Sequence, residues 1–187
     1  SKAFLKTPQE PVQLHRDEDW YAEAGITLHR GDAALAIDRA AKVVTLRSGA
    51  TLPYAWLVLA AGASARTLPA LPPTLANVAA LRSAADARRL RGLLETAGRV
   101  TVLGGGFIGL EIAATASALG KPVSVLEAAP RLLMRSVSPE LAEHVLAAHR
   151  ASGVDIRLGA NVGDFAIDGD RLASLAVNGQ REDVELL

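Results

Sequence analysis

Three glycines near the middle of the chain have the spacing that binds the phosphates of a dinucleotide. Gly104, Gly106 and Gly109 form the pattern G-x-G-x-x-G. In this pattern the first glycine permits a tight turn, the second lets the backbone approach a pyrophosphate, and the third lets a helix pack closely on a sheet. The unpaired N–H groups at the start of that helix then face the phosphates. The pattern alone is weak, so its meaning depends on the elements around it.

An acidic residue follows the glycines at the distance where a nucleotide ribose would need one. Glu127 lies 18 residues after Gly109, near the spacing of about 20 at which an acid accepts hydrogen bonds from the ribose hydroxyls. A carboxylate there repels a 2′-phosphate and favours NAD over NADP, and Arg131 four residues on would soften that preference. The alternative is a glycine turn that binds nothing, with Glu127 as a solvated strand end.

The second half of the chain has the alternating pattern of a parallel α/β fold. Apolar runs and helical periodicity predict helix 83–94, strand 100–103, helix 107–119, strand 123–126, helix 139–150 and strand 154–158. Ser138 is the predicted N-cap of the last helix, with Pro139 as its first residue. Residues 162–167 and 172–177 flank Asp168-Gly169 and predict a hairpin added to the sheet.

The first half of the chain predicts a short helix and a small β-meander. Asp17 as N-cap and Gly25 as the end predict a helix over 17–24. Extended runs predict strands at 26–29, 35–38, 42–46 and, as a buried apolar strand, 56–60. Prolines 69, 72 and 73 then mark a linker, which places a lobe boundary near residue 78.

The composition excludes several classes of function. Half of the 187 residues are apolar, which predicts a globular chain with a core. Twenty basic and twenty acidic residues give no net charge, which argues against nucleic acid as a partner. We see no apolar run long enough for a membrane helix and no leader, so we expect a cytoplasmic protein that does not bind membranes. The chain has no cysteine, and its four histidines lack ligand spacing, so we expect no metal site.

The glycine motif and its flanks resemble a known family. Val102-Leu103 through Glu111 resembles the V-x-G-G-G-F-I-G-x-E nicotinamide-nucleotide motif of the FAD-dependent pyridine nucleotide oxidoreductases, in particular the rubredoxin and ferredoxin reductase branch. Residues 57–63 resemble the L-V-L-A-T-G-A strand that ends beside the flavin nucleotide in that branch, with Ala61 in place of the usual threonine. Residues 1–5 resemble its L-S-K-x-x-L segment. The resemblance covers nearly the whole chain.

The resemblance implies two sites. The NADH site would comprise Gly104, Gly105, Gly106, Phe107, Ile108, Gly109, Glu127 and Arg131, and the FAD site would include Ala61 and Gly62. In the family a lysine and a glutamate meet beside the flavin ring, and Lys2 and Glu111 would hold these catalytic positions. The lysine would stabilise negative charge on the reduced ring, and the carboxylate would hold the lysine. A terminal lysine without a role, and a glutamate that complements the helix dipole, are the structural alternatives.

The resemblance also implies a fold. We predict an α/β chain in which a Rossmann-like βαβαβ nucleotide-binding lobe with an added β-hairpin, residues 78–187, follows part of an FAD-binding lobe with a small β-meander, residues 1–77. The family's first G-x-G-x-x-G, its later G-D segment and its interface domain have no counterpart in these residues. We therefore expect a middle fragment that lacks the last parallel strand, and pairing of two copies through the exposed sheet edge is a further hypothesis.

The implied function is electron transfer by a flavoprotein reductase. The full-length protein would pass electrons from NADH through FAD to a ferredoxin or rubredoxin, and the absence of cysteine favours direct transfer to such a carrier. The fragment alone is expected to hold no FAD and to have no turnover. Two alternatives stay open. One is a non-catalytic NAD(H)-binding or redox-sensing module, and the other is a flavoprotein like apoptosis-inducing factor that oxidises NADH slowly.

Overall fold

The computed structural model describes residues 4–5, 11, 13–72 and 74–187, and these divide into two units. The smaller unit is Gln13–Ala63. The larger unit contains Ser64–Leu187 together with the described residues that precede Gln13. The division of the complete fold into lobes at 1–77 and 78–187 stays a prediction. Lys2 lies outside the described residues.

The smaller unit contains one helix and the predicted meander. Helix α1, Glu18–Glu23, begins where the Asp17 carboxylate accepts a hydrogen bond from the backbone N–H of Trp20 at 2.9 Å. It is followed by Gly25, whose φ of +68° suits a helix end. Strands β1 (Ala34–Asp38), β2 (Val43–Leu46) and β3 (Thr51–Pro53) pair antiparallel in that order.

Two strands predicted for this unit are not formed. Residues 26–29 and 56–60 have no regular secondary structure, and no described strand pairs with either segment. The side chains of Trp56 and Val58 are 92% and 85% exposed, so the expected burial is also wrong. A buried strand needs hydrogen-bonding partners for its backbone as well as apolar side chains. Residues 56–60 supply the apolar side chains but have no neighbouring strand among the described residues to pair with their backbone.

The larger unit is built on the predicted parallel sheet. Its elements are α2 (Ala84–Thr96), β4 (Val100–Leu103), α3 (Phe107–Ala118), β5 (Val123–Glu127), α4 (Pro139–Ala151) and β6 (Asp155–Leu158), and the strand order is β4-β5-β6. The predicted N-cap of α4 is confirmed, and a second serine caps α2. Ser83 and Asp86 form a reciprocal capping box at α2, and the Ser138 hydroxyl accepts the Leu141 N–H at α4.

The core of this unit lies between the sheet and its helices. Val125 in the central strand β5 is fully buried, as expected for a strand with neighbours on both sides. Ala113 and Ala116 of α3 are also fully buried, and their small side chains let the helix lie close to the sheet. Leu94 of α2 and Ile156 of β6 complete the same cluster. The glycine loop between β4 and α3 is therefore carried by a rigid core.

The last part of the chain forms a separate antiparallel sheet. The predicted hairpin is present as β7 (Val162–Asp168) and β8 (Arg171–Val177), but a third strand, β9 (Gln180–Asp183), pairs with β8. These strands do not extend the parallel sheet as we predicted. Strand β9 escaped prediction because it is short and polar. The dipeptide Asn178-Gly179 is a sequence signal for the turn before β9. Both residues have positive φ, as a two-residue hairpin requires.

The final residues lie beside the free edge of β4. The Thr101 N–H donates to the Leu186 carbonyl at 2.8 Å. Leu187 donates its N–H to Asn77 at 3.0 Å and accepts from Ala79 at 2.8 Å. A groove of about 540 Å³ continues from Leu187 between β4 and residues 78–81. Over the ranges that the structure describes, no helix has the length and hydrophobicity to cross a membrane.

Candidate functional site

The glycine loop joins β4 to α3 at the carboxyl end of the parallel sheet. Gly104 has a φ of +102°, which is the left-handed region that favours glycine, and its N–H donates to the Leu126 carbonyl of β5 at 2.9 Å. Gly106 is the N-cap of α3, and its carbonyl accepts the N–H of Leu110 at 3.0 Å. The chain thus turns directly from the sheet into the helix.

Only glycine fits at position 109. A Cβ atom at Gly109 would lie 2.2 Å from the Gly104 carbonyl oxygen and 3.1 Å from Cγ1 of Val102. This close approach seats the first turn of α3 on β4, which is the role that the spacing assigns to the third glycine.

The start of α3 is open. A Cβ added at Gly106 would meet no other atom within 4 Å, and the side chains of Phe107 and Ile108 are 57% and 52% exposed. The helical bonds begin with the Leu110 N–H, so the three N–H groups before it have no acceptor within the helix. Together with the positive end of the helix dipole, these groups favour an anion such as a phosphate.

Glu127 is the last residue of β5 and lies against the loop. Its Oε2 accepts a hydrogen bond from the backbone N–H of Gly105 at 2.6 Å, and its Oε1 accepts from Ala129 at 2.7 Å. The residue is half-buried. Each carboxylate oxygen has two lone pairs, so the side chain keeps accepting capacity for hydroxyl groups. The carboxylate therefore contacts the loop and retains the capacity that a ribose would need.

Arg131 is engaged with its own segment. Its two terminal nitrogens donate to the carbonyls of Val137 at 3.0 Å and Met134 at 2.8 Å. The guanidinium thus ties together the connection between β5 and α4.

Sequence reasoning missed two residues of this connection that support the loop. Leu132 is buried, and its Cδ2 lies 2.4 Å from the position of a Cβ at Gly105. The N–H of Leu133 donates to the Gly105 carbonyl at 3.0 Å. An apolar pair after a strand gives no signal of this role, because the contact depends on how the connection folds back.

The remaining candidates are not part of this loop. Glu111 lies in α3, one turn beyond the loop, and is half-buried. Ala61 and Gly62 belong to the smaller unit, where they are exposed and without regular secondary structure. The pairing of Lys2 with Glu111, and the flavin contacts of Ala61 and Gly62, stay predictions. The described residues hold no group of three or more acidic or histidine side chains that could bind a metal.

Comparison with known proteins gives close relatives. A rubredoxin-NAD(+) reductase of Pseudomonas putida is 41% identical over 164 residues, which cover 87% of this chain and 42% of the relative. The ferredoxin--NAD(+) reductase component of the anthranilate 1,2-dioxygenase system of Burkholderia cepacia is 43% identical over 158 residues, covering 83% of this chain and 38% of the relative. The chain therefore spans less than half the length of these relatives.

Solved structures agree with the fold. A ferredoxin reductase from Rhodopseudomonas palustris superposes with a TM-score of 0.91 at 34% identity, over 98% of this chain and 46% of that one. The putidaredoxin reductase in its covalent complex with putidaredoxin gives 0.90 at 35% identity, over 99% and 46%. The predicted α/β fold class is confirmed. The family model for pyridine nucleotide-disulphide oxidoreductase matches residues 1–187. The resemblance predicted from the motifs is thus confirmed, and the chain belongs to the pyridine nucleotide-disulphide oxidoreductase family.

Proposed function

We propose that this chain is part of an NADH-dependent, FAD-containing reductase that passes electrons to a ferredoxin or rubredoxin. The observation that carries the proposal is the open, amide-lined start of α3 beside the Glu127 carboxylate. The names of the relatives, which include rubredoxin and ferredoxin reductases, support the same reaction. Because the chain covers less than half of each relative, the activity belongs to the whole protein.

The residues of the loop fit a dinucleotide. The open space at Gly106 leaves room for a pyrophosphate against the first N–H groups of α3. The remaining lone pairs of Glu127 would accept hydrogen bonds from the ribose hydroxyls. The Glu127 carboxylate would repel a 2′-phosphate, and the Arg131 guanidinium is held by the carbonyls of Val137 and Met134. We therefore expect NADH to bind more tightly than NADPH.

The second cofactor would be FAD. When bound, FAD would supply the chemistry that converts the two-electron hydride of NADH into single electrons. Among the residues of this chain, Lys2 would place its ammonium beside the flavin ring, and Glu111 would hold that ammonium in place. The backbone at Ala61 and Gly62 would lie against the flavin nucleotide. Few residues of this chain would then contact FAD, so we expect the 187-residue chain alone to bind nucleotide without FAD and without turnover.

A single substitution tests the NADH site without disturbing the fold. At Gly106 the φ is −83° and a Cβ meets no atom within 4 Å, so aspartate fits the site and is a preferred N-cap residue. Its carboxylate would occupy the phosphate position and repel the ligand. We expect Gly106→Asp to fold at least as stably as the natural chain and to lose NADH binding in calorimetric titration. Ser138→Asp, which places the same group at the start of α4, is the matched control and should bind normally.

The redox reaction is tested on the full-length protein. Its visible absorption spectrum would be recorded during an anaerobic titration with NADH. A flavin band that bleaches supports the reductase, and stimulation by added ferredoxin or rubredoxin would identify the acceptor. A flavin band that bleaches slowly, with no stimulation by any carrier protein, would favour the alternative of a flavoprotein that resembles apoptosis-inducing factor. A colourless protein that binds NADH but cannot be reconstituted with FAD would leave the non-catalytic nucleotide-binding module.

Two further properties of the protein are part of the proposal. We expect it to act in the cytoplasm, which fractionation of cells would test. We also expect that two copies pair through an exposed sheet edge, and light scattering at several protein concentrations would test this.

A further inference from the structure

We propose that Glu127 positions the phosphate loop, in addition to any contact it makes with a ribose. Under this proposal the carboxylate fixes the peptide of Gly105, and through it the path of the backbone that meets the pyrophosphate. The inference rests on the proposed nucleotide binding, and it gives Glu127 a second task that does not require a hydroxyl on the ligand.

The first observation is how the carboxylate is used. Oε2 accepts from the Gly105 N–H at 2.6 Å, while Oε1 accepts from the Ala129 N–H at 2.7 Å. Hydrogen bonds to an ionised acceptor are shorter and about twice as strong as neutral ones. Glu127 therefore links two backbone segments, the glycine loop and the residues just after β5, with one charged group.

The second observation is that Gly105 is held at both ends of its residue. While its N–H binds Glu127, its carbonyl accepts the Leu133 N–H at 3.0 Å, and Cδ2 of Leu132 fills the space that a Cβ would take. Gly105 is buried, whereas the following residue, Gly106, is exposed. The loop is thus fastened from the side of β5 at the residue immediately before the phosphate position.

The third observation is that the segment between β5 and α4, which holds Gly105 in place, is itself stabilised by hydrogen bonds. The Arg131 guanidinium binds the carbonyls of Val137 and Met134, which closes the connection that carries Leu132 and Leu133. The loop, the carboxylate and this connection therefore form one interlocked group. Removing the carboxylate bridge should loosen the loop even when the ligand cannot bind the carboxylate directly.

Substitution by glutamine separates the two tasks of Glu127. Glutamine keeps the length of the side chain but retains a single acceptor oxygen, and its amide NH₂ would face one of the two backbone N–H donors. One bridging hydrogen bond is then lost whatever ligand is present. A residue that served only the ribose would affect only those ligands that carry ribose hydroxyls.

The binding experiment uses ADP and 2′,3′-dideoxy-ADP with the 187-residue chain. We expect Glu127→Gln to weaken the binding of dideoxy-ADP about tenfold, because the ligand must then also order a loop that has lost one of its hydrogen bonds. Glu143→Gln makes the same chemical change at an exposed position of α4 and should leave both affinities unchanged. Unchanged dideoxy-ADP affinity in Glu127→Gln, together with weaker ADP binding, would mean that the residue serves the ribose alone and would overturn the proposal.

An NMR measurement on the free chain tests the positioning role of Glu127 independently of nucleotide binding. In the natural chain the Gly105 amide proton should resonate at unusually low field and exchange slowly with solvent, because its hydrogen bond is short and charge-assisted. Glu127→Gln should move the signal upfield and speed its exchange, whereas Glu143→Gln should not. If the natural chain fails to bind ADP, the proposed function falls, yet the Gly105 signal still decides the positioning role. An unmoved signal refutes it.

A second variant covers the case in which glutamine prevents folding. Glu127→Asp keeps the charge but is one methylene shorter, so it cannot reach both Gly105 and Ala129. It should give the same upfield shift of the Gly105 signal and a weaker affinity for dideoxy-ADP. A Glu127→Asp chain that keeps the natural Gly105 signal and affinity would equally overturn the proposal.

Discussion

Replacing Gly109 by alanine should force helix α3 away from β4. The new Cβ would lie 2.2 Å from the Gly104 carbonyl oxygen, whereas ordinary contact begins at 3.4 Å, so the two atoms must separate by 1.2 Å (3.4 − 2.2). The obstructing atom belongs to the backbone and cannot rotate aside. The separation must therefore come from movement of the loop or of the whole helix.

The expected cost follows from the packing around α3. Overpacking a core typically costs about 1–3 kcal/mol. Ala113 and Ala116 are fully buried against the sheet, so a shift of the helix also opens the contacts that they make. Alanine recovers about 1 kcal/mol through its higher helix propensity. We expect a net loss of about 2 kcal/mol in the free energy of unfolding, together with weaker ADP binding because the Gly104 carbonyl is displaced.

The assay is equilibrium unfolding in urea, followed by far-ultraviolet circular dichroism. Gly92→Ala in α2 is the matched control, because a Cβ there meets nothing within 4 Å and should stabilise the chain by up to about 1 kcal/mol. The two alanine variants should thus move the midpoint in opposite directions. A Gly109→Ala chain as stable as the natural one, with unchanged ADP affinity, would refute the close-packing argument.

Further predictions concern groups outside the loop. Asn77→Ala should lower the free energy of unfolding by about 2 kcal/mol in urea titration, because the buried amide serves both backbone groups of Leu172. Ser83→Ala should cost about 1 kcal/mol in the same assay, through loss of the α2 cap. Hydrogen bonds from the Ser83 backbone and hydroxyl hold the pKa of Asp86 below 3.8, so its stabilising effect is present above that pH and is lost under more acidic conditions. The unfolding free energies of the natural chain and Asp86→Asn should therefore converge as the pH falls below 3.8. Burial lowers the pKa of His149 below 6.5, so its protonation should be resisted, and ¹H NMR titration should show a midpoint below that value.

Much of the parallel unit was predictable because its signals are local. Ser138-Pro139 predicts the start of a helix, and the three glycines predict a strand followed by a turn and a helix. Each signal is satisfied by residues within a few positions, and the structure places the elements within a few residues of their predicted bounds. Local chemistry was therefore enough to predict the elements that carry the candidate site.

The rest depends on contacts between distant residues. The run Trp56–Ala60 has the composition of a buried strand, yet strand formation depends on neighbours that its own sequence does not encode. The two hydrogen bonds of Glu127 were also beyond prediction. The motif identifies an acid at the end of β5, but the acid's contact with Gly105 depends on the exact meeting of two loops. The side chain's conformation, and so its second role, becomes visible only in three dimensions.

The position of Leu187 has a consequence for the order in which the chain folds. Residues 77–79 and β4 lie on either side of the C-terminal residues, and they bind Leu186 and Leu187 rather than each other. Ala79 and Leu187 are 108 positions apart (187 − 79), so this contact closes a very long loop. Such contacts form late, because the entropy of closure must be overcome first. As the chain leaves the ribosome, β4, β5 and β6 can therefore pair early, while residues 77–79 wait for a partner that is synthesised more than 100 residues later.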